Sequence, residues 1–525
     1  MPAWPAASLP GVVALAVVVL AACALVACAP AENRPARELR INLSTEPPTL
    51  DWTLATDNTS IQVIEQLMRG LTHMGPGLEP EPGLAERWDV SDDGLRYTFQ
   101  LRRDVRWSDG VPLEAGHFVY AWQRLLLPET AAEYAYFLFP VKNARALNSG
   151  RISDPDALGV RALDAHTLQV DLEEPLVFFP SLTTFMVTFP LRRDLLRQHG
   201  SAWIEPQHLA TLGPFTLEEW RHEYKIVLAA NPDYYGSPPG VDRVVGYMVE
   251  EGSTALVLFE QGLLDIVRLP PLEIRRYRER PTYRNLGLLR GYYYGFNTAL
   301  PPFDDPRVRR AFAMGIDRRE FPKVLQGGEQ PTGSWLPPGM PYSNPEIGLP
   351  FDPEAARALL AQAGFDRGQR LRVVYNTDQR NKLVAENVQA QWRRNLGVDV
   401  ELVNREWKVF LKELATRPPP VYRLGWGADY PDPHNFMNLF TTGSANNHTG
   451  WGNPRYDALV EQAARERSVA RRQALYDEAQ RILCEQDVPI VPFFVAPLNL
   501  AVAERVRGFE PNAMDIFFFD RVRVE

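Results

Sequence analysis

The sequence predicts an α/β protein of at least two domains, and three observations carry that prediction. A chain of 525 residues exceeds what one hydrophobic core organises. Between residues 354 and 486, helical patterns (354–363, 382–396, 455–465, 469–486) alternate with strand patterns (371–375, 398–403, 421–426). That order suggests a mixed, mostly parallel sheet. Two long apolar, aromatic-rich runs, 286–296 and 488–502, bracket this region. They suit buried strands that carry the chain out of one domain and back again.

Taken in order, the chain opens on a segment unlike the rest. Residues 12–20 are nearly all Val, Ala and Leu, and the apolar run ends at Cys28. It is short for a membrane span and leads into a polar, proline-containing stretch, as an export signal leads into a tether. Leu25-Val26-Ala27-Cys28 resembles a bacterial lipobox, whose cysteine is acylated and becomes the mature N-terminus. Leu20-Ala21-Ala22-Cys23 fits the same pattern, but cleavage there would leave the apolar residues 24–27 exposed, so Cys28 is favoured over Cys23. Residues 1–10 hold no Lys or Arg, a departure from the usual charged start. Once the leader is removed and Cys28 acylated, Cys484 is the one remaining thiol, which excludes a disulfide framework.

Residues 38–44 alternate as a first strand, 47–58 read as a loop, and 60–71 have the spacing of an amphipathic helix. Asp93-Gly94 divides two alternating runs within 84–102, a hairpin pattern. A third short run at 105–107 precedes a helix at 114–126. The 46 prolines, many of them paired, mark a chain with many turns and long connections.

Charge and motifs exclude several functions. A net charge of −9 without any dense basic run argues against nucleic acid. No nucleophile elbow, zinc-protease helix, phosphate-binding loop or dinucleotide fingerprint is present, so neither an enzyme nor a cofactor is expected. The eight histidines lack metal-ligand spacing, and His434 and His448 read as loop residues.

The run 421–433 stands out. A short apolar strand containing Arg423 opens through Gly425 and Gly427 onto Asp429, Tyr430 and two prolines. If extended, Arg423 and Asp429 lie at roughly 20 Å, the length of a short peptide whose two termini they could neutralise. Alternatively, Arg423 lies on a solvated face and Asp429 starts a turn.

Longer motifs decide between these readings. Trp88, Ser91-Asp92-Asp93-Gly94, Tyr97-Thr98-Phe99 and Val105-Arg106-Trp107-Ser108-Asp109-Gly110 follow one another closely. Further on come Pro302-Phe303-Asp304-Asp305-Pro306, Leu359 to Phe365, and Gly425-Trp426-Gly427-Ala428-Asp429-Tyr430. Together these resemble the oligopeptide/dipeptide solute-binding proteins of ABC importers (family 5, oligopeptide-binding branch), over essentially all of residues 38–525.

The resemblance implies a two-lobed, periplasmic-binding-protein-like α/β fold with an enlarged first lobe and two crossover hinge strands. The larger lobe would take 38–289, with an inserted subdomain at about 69–190, and the smaller lobe 290–495. Residues 496–525 would return to the larger lobe, behind a leader at 1–28 and a tether at 29–37. Asp429 would meet a ligand's ammonium group and Arg423 its carboxylate, while Arg417 reads as a surface residue. Gly425 and Gly427 would pair with the ligand backbone. Tyr134, Tyr293, Trp407 and Trp426 would line side-chain pockets, with burial in the core as the other reading of each. Thr56, Asp57 and Asn58 would reach the ligand from the larger lobe. Arg290 and Gly427 match a cysteine pair of well-known relatives.

The implied function is capture of short peptides by an extracytoplasmic, lipid-anchored monomer that delivers them to permease subunits, with no catalysis and no resident metal. The same fold binding an opine, a sugar, a metal chelate or a murein peptide is the alternative, and a secreted hydrolase the remote one.

Overall fold

A computed structural model describes residues 37–525 apart from residue 445. The predicted leader, with Cys23 and Cys28, and the tether as far as residue 36 lie outside the described residues.

One sheet of 11 strands runs through the molecule, ten in continuous order and the eleventh, Gln330–Pro331, paired with Ile490–Val502 alone. From one edge, Val400–Arg405, Leu371–Asn376 and Val421–Gly427 are followed by the two crossover strands Tyr283–Phe296 and Ile490–Val502. Beyond them lie Ile266–Arg268, Glu38–Asn42, Arg243–Tyr247, Lys225–Ala230 and Phe215–Arg221. The crossover strands pair antiparallel from Tyr283 opposite Ala501 to Gly295 opposite Ile490, with a break between Gly287 and Gly291. The expected boundaries at 290 and 496 fall on this irregular stretch. The two-lobed α/β fold is present.

The mostly parallel sheet expected for the smaller lobe holds for its three outer strands, where Leu371–Asn376 runs parallel to both neighbours. Both crossover strands are antiparallel to their partners. A chain that leaves a lobe on one strand and returns on the next must traverse the joint in opposite directions.

Local chemistry explains other departures. The first amphipathic helix occupies Asn58–Leu67, capped by the Asp57 carboxylate, which accepts from Ser60 N–H at 2.9 Å. It stops short of residue 71 because Met68 is extended and Gly70 packs against the chain, where a Cβ would lie 2.2 Å from Thr183 O. The hairpin forms as Ala85–Val90 and Arg96–Leu101, with Gly94 at φ +74°. The run at 105–107 makes only a bridge from Arg106 to Pro112. The last helix is α-helical over Val469–Arg481 and ends in a π-turn at Ile482–Gln486. That turn buries Cys484, whose thiol is pushed up to about 12 by desolvation and is therefore unreactive.

Strand alternation gives the smaller lobe two cores, one on each face of its sheet. Val373, Val421, Tyr292 and Tyr294 face one side. Val374, Tyr422 and Tyr293 face the other.

Candidate functional site

The strand Val421–Gly427 is paired unequally on its two sides. The crossover strand holds it from Phe296 opposite Val421 to Arg290 opposite Gly427. On its other side Leu371–Asn376 pairs only with Val421 and Tyr422. From Arg423 onward that edge has no strand partner among the described residues, and it looks into a cleft of about 860 Å³. Arg423, Gly425, Trp426, Gly427 and Trp407 all line this cleft. Arg268, Arg290 and Asp515 line it too, and they also line an adjoining cavity of about 260 Å³ that includes Asn58. Residues from both lobes thus wall one continuous space.

Arg423 shares a sheet face with Gly425 and Gly427. Its guanidinium stacks over Tyr292 at 4.4 Å and donates to Asn376 Oδ1 at 3.1 Å. No carboxylate among the described residues pairs with it, and its Nε is buried without a partner. Such a cation, held by a ring and a neutral amide, keeps donor capacity for an incoming anion. Gly425 is required by proximity: a Cβ there would lie 2.8 Å from Gly291 O, a backbone atom that cannot yield cheaply. Gly425→Val is therefore expected to push the two strands apart, lowering the melting temperature by several degrees and abolishing ligand binding measured on the folded variant.

The extended chain expected between Arg423 and Asp429 ends at Gly427. Residues 428–432 turn, and Pro433 begins a short helix, Pro433–Met437, capped by Asp432. Proline suits the first helical position, since its missing N–H has no helical acceptor to meet there. The separation of Arg423 and Asp429 is accordingly less than that of a fully extended segment. His434, expected in a loop, sits in this helix with Nδ1 3.0 Å from the Tyr430 hydroxyl.

Asp429 is held by two neutral donors. Its Oδ2 accepts from the Tyr136 hydroxyl at 3.0 Å and from Asn435 Nδ2 at 3.3 Å. Asn435 Oδ1 in turn accepts from Trp426 Nε1 at 2.7 Å and from Asp429 N–H at 3.3 Å. Burial raises the Asp429 carboxyl above its ordinary range, only partly offset by these hydrogen bonds. A half-buried carboxylate with no cation beside it among the described residues is prepared to gain from one.

Tyr136 reaches Asp429 from the larger lobe, and Tyr430 stacks on Phe178 of that lobe at 5.4 Å. Tyr134 lies in the same neighbourhood. Its hydroxyl is pushed up to about 12, first by burial and then by Asp429, Glu133 and Asp57. Trp407 is 44% exposed on the cleft wall. Asp57 is engaged as a helix cap, and Thr56 is exposed beside it. Tyr293 is 3% exposed and packs edge-on against Trp335 and Phe440, in the core behind the cleft rather than on its wall. The strand's alternation puts Tyr292, not Tyr293, beside Arg423. Arg417 is exposed beyond the helix Trp407–Thr416.

Sequence reading missed Tyr136 and Tyr292. Once Tyr294 is registered opposite Arg423, period-2 alternation brings Tyr292 and Arg290 to the same face. Nothing in the sequence points to Tyr136, which meets Asp429 from a position 293 residues away. Among the described residues no cluster of His, Cys, Asp and Glu is arranged to hold a metal ion.

Residues 79–448 match the model of the bacterial extracellular solute-binding proteins, family 5 Middle. The chain is 33% identical over 488 residues to the probable deoxycholate-binding periplasmic protein YgiS of Escherichia coli K12, covering 90% of this chain and 91% of that one. It is 34% identical over 495 residues to the periplasmic murein peptide-binding protein MppA of the same strain, covering 91% of each. It is 32% identical over 502 residues to the oligopeptide-binding protein OppA of Bacillus subtilis 168, again covering 91% of each. The unliganded open form of MppA superposes with a TM-score of 0.84 at 33% identity, covering 94% of this chain and 98% of that one.

Proposed function

The chain belongs to the bacterial extracellular solute-binding proteins of family 5, and from that premise we propose that it captures short peptides between its lobes for delivery to an ABC permease. One observation carries the reading: the edge of Val421–Gly427 that is unpaired from Arg423 onward among the described residues, lined by two glycines, with a guanidinium that meets no carboxylate of those residues near one end and the Asp429 carboxylate beyond the other. A peptide main chain can add to that edge as a further strand, which accepts many sequences because the backbone is common to all. Asp429 takes the ammonium terminus, exchanging the Tyr136 hydroxyl for a charged partner. Arg423 takes the carboxylate of a ligand long enough to reach it. Trp407 and Trp426 supply wall for side chains, and Asn58 lines the adjoining cavity. The joint at 288–290 and 496, where crossover pairing is broken, supports hinge closure.

Peptide binding in the family and the periplasmic relatives support an extracytoplasmic site of action. Anchoring through an acylated Cys28, or Cys23, is the part of the proposal that rests on the leader sequence. Acyl mass on the N-terminal fragment of membrane-extracted protein checks it, and an unmodified cysteine there refutes it. The YgiS relative, named for a bile acid, favours a second reading in which an acidic non-peptide solute fills the cleft.

Native mass spectrometry of the protein purified without added ligand separates the two. A ladder of short-peptide masses is expected. A single discrete non-peptide mass overturns the peptide reading.

A further inference from the structure

The floor of the cleft is more basic than the protein as a whole. Of the acids that line it, Asp515 is paired with Arg268 at 2.8 Å and Glu329 accepts from Gly327 N–H. Asp378 caps the helix Gln379–Leu396. Arg290, Arg380 and Arg423 line the same cleft without a carboxylate partner among the described residues. Arg290 occupies the most telling place. It is exposed, it lies on the hinge strand, and it lines both the main cleft and the adjoining cavity.

Its register shows where it points. Arg290 is directly opposite Gly427, on the sheet face that also carries Arg423 and Gly425. A Cβ on Gly427 would stand 3.3 Å from Arg290 Nε and 3.8 Å from its Nη2. The guanidinium therefore lies across the space that a side chain at 427 would fill, reaching over the strand towards its free edge. The two cations, Arg290 and Arg423, sit on one face roughly 13 Å apart along the strand.

Resting on the peptide reading above, we propose that Arg290, laid over Gly427, forms a subsite for a carboxylate carried within the ligand, so that the protein prefers peptides with an acidic side chain near their amino end. A ligand strand on the free edge, with its ammonium at Asp429, brings one of its first residues beside Gly427. A carboxylate there meets a planar two-donor fork that has no other acid among the described residues to satisfy. Lobe closure removes water from the pair and strengthens it.

The test is calorimetry with trialanine and with alanine tripeptides carrying Glu, or its neutral isostere Gln, at position 1, 2 or 3, on the wild type and on Arg290→Gln. The Arg290 side chain is exposed, and a matched melting temperature checks that the variant is folded. In the wild type, Glu at position 1 or 2 is expected to bind at least about tenfold more tightly than Gln at the same position. In Arg290→Gln that ratio is expected to fall to within about threefold of unity. Trialanine binding with no Glu-over-Gln preference at positions 1 and 2, or a preference that survives in Arg290→Gln, overturns the subsite and leaves the peptide reading intact. Binding of no peptide by the wild type overturns both.

Discussion

Asp429→Asn is expected to weaken binding of a free-amine tripeptide by about 3–5 kcal/mol, the cost of leaving one member of a buried charge pair alone. That is roughly two to three and a half orders of magnitude in Kd. The substitution keeps shape and both side-chain contacts: an amide oxygen still accepts from Tyr136 and Asn435, which now meet Asp429 Oδ2. What is lost is charge, where burial makes charge count most. An N-acetylated peptide supplies the complementary control. It is expected to bind the wild type about as weakly as the free peptide binds the variant. Calorimetry that finds equal wild-type affinity for free and acetylated peptides would remove Asp429 from the role.

The direction of the Asp429 shift adds a pH dependence. Its carboxyl is raised in the unliganded protein by burial, and an ammonium partner favours the ionised form, so the pKa falls on binding. Affinity is then full above the raised unliganded pKa and declines as pH falls through it, with proton uptake by the free protein opposing the ligand. The decline begins above the ordinary aspartate range of about 3.9. Isothermal titration in two buffers of different ionisation enthalpy reads the proton released on binding. No loss of affinity towards acid pH would contradict the assignment.

Two strands of the smaller lobe, Leu371–Asn376 and Val421–Gly427, were legible as short runs with apolar, buried starts, whereas the edge strand Val400–Arg405 buries only Val400 and is marked by its alternation. The crossover strands were legible as longer apolar runs. The direction of their pairing was not, since residue pattern reports burial and says nothing of which neighbour a strand meets. Tyr293 illustrates the limit at the site: in a run of three tyrosines the two sheet faces cannot be told apart until Arg423 is registered opposite Tyr294. Asp57 shows another, because a helix cap and a ligand contact draw on the same residue type in the same kind of loop. Tyr136, reaching Asp429 from the other lobe, depends wholly on tertiary placement.

Arg472→Met is expected to destabilise the smaller lobe by about 3–5 kcal/mol, more than any change on the cleft surface. Arg472 and Asp432 are nearly sealed from solvent, with side-chain exposures of 5% and 7%. Their two hydrogen bonds are both 2.8 Å, a bidentate pair. Arg472 also donates from Nε to Ala463 O at 2.8 Å. Methionine fills the volume but leaves the Asp432 carboxylate buried without a countercharge. Asp432 is also the cap of Pro433–Met437, so the loss reaches the turn that presents Asp429 and the Asn435 amide that orients it. The companion variant Asp432→Asn with Arg472→Met removes the orphaned charge while keeping an acceptor for His434 N–H, and it is expected to recover part of the stability. Hydrogen exchange should show the loss concentrated in 429–437 and in the helix Val469–Arg481, and peptide affinity should fall even where the variant remains folded. A single variant that costs less than about 1 kcal/mol, or a double variant no better than the single, would mean that hydrophobic packing holds this turn without the ion pair.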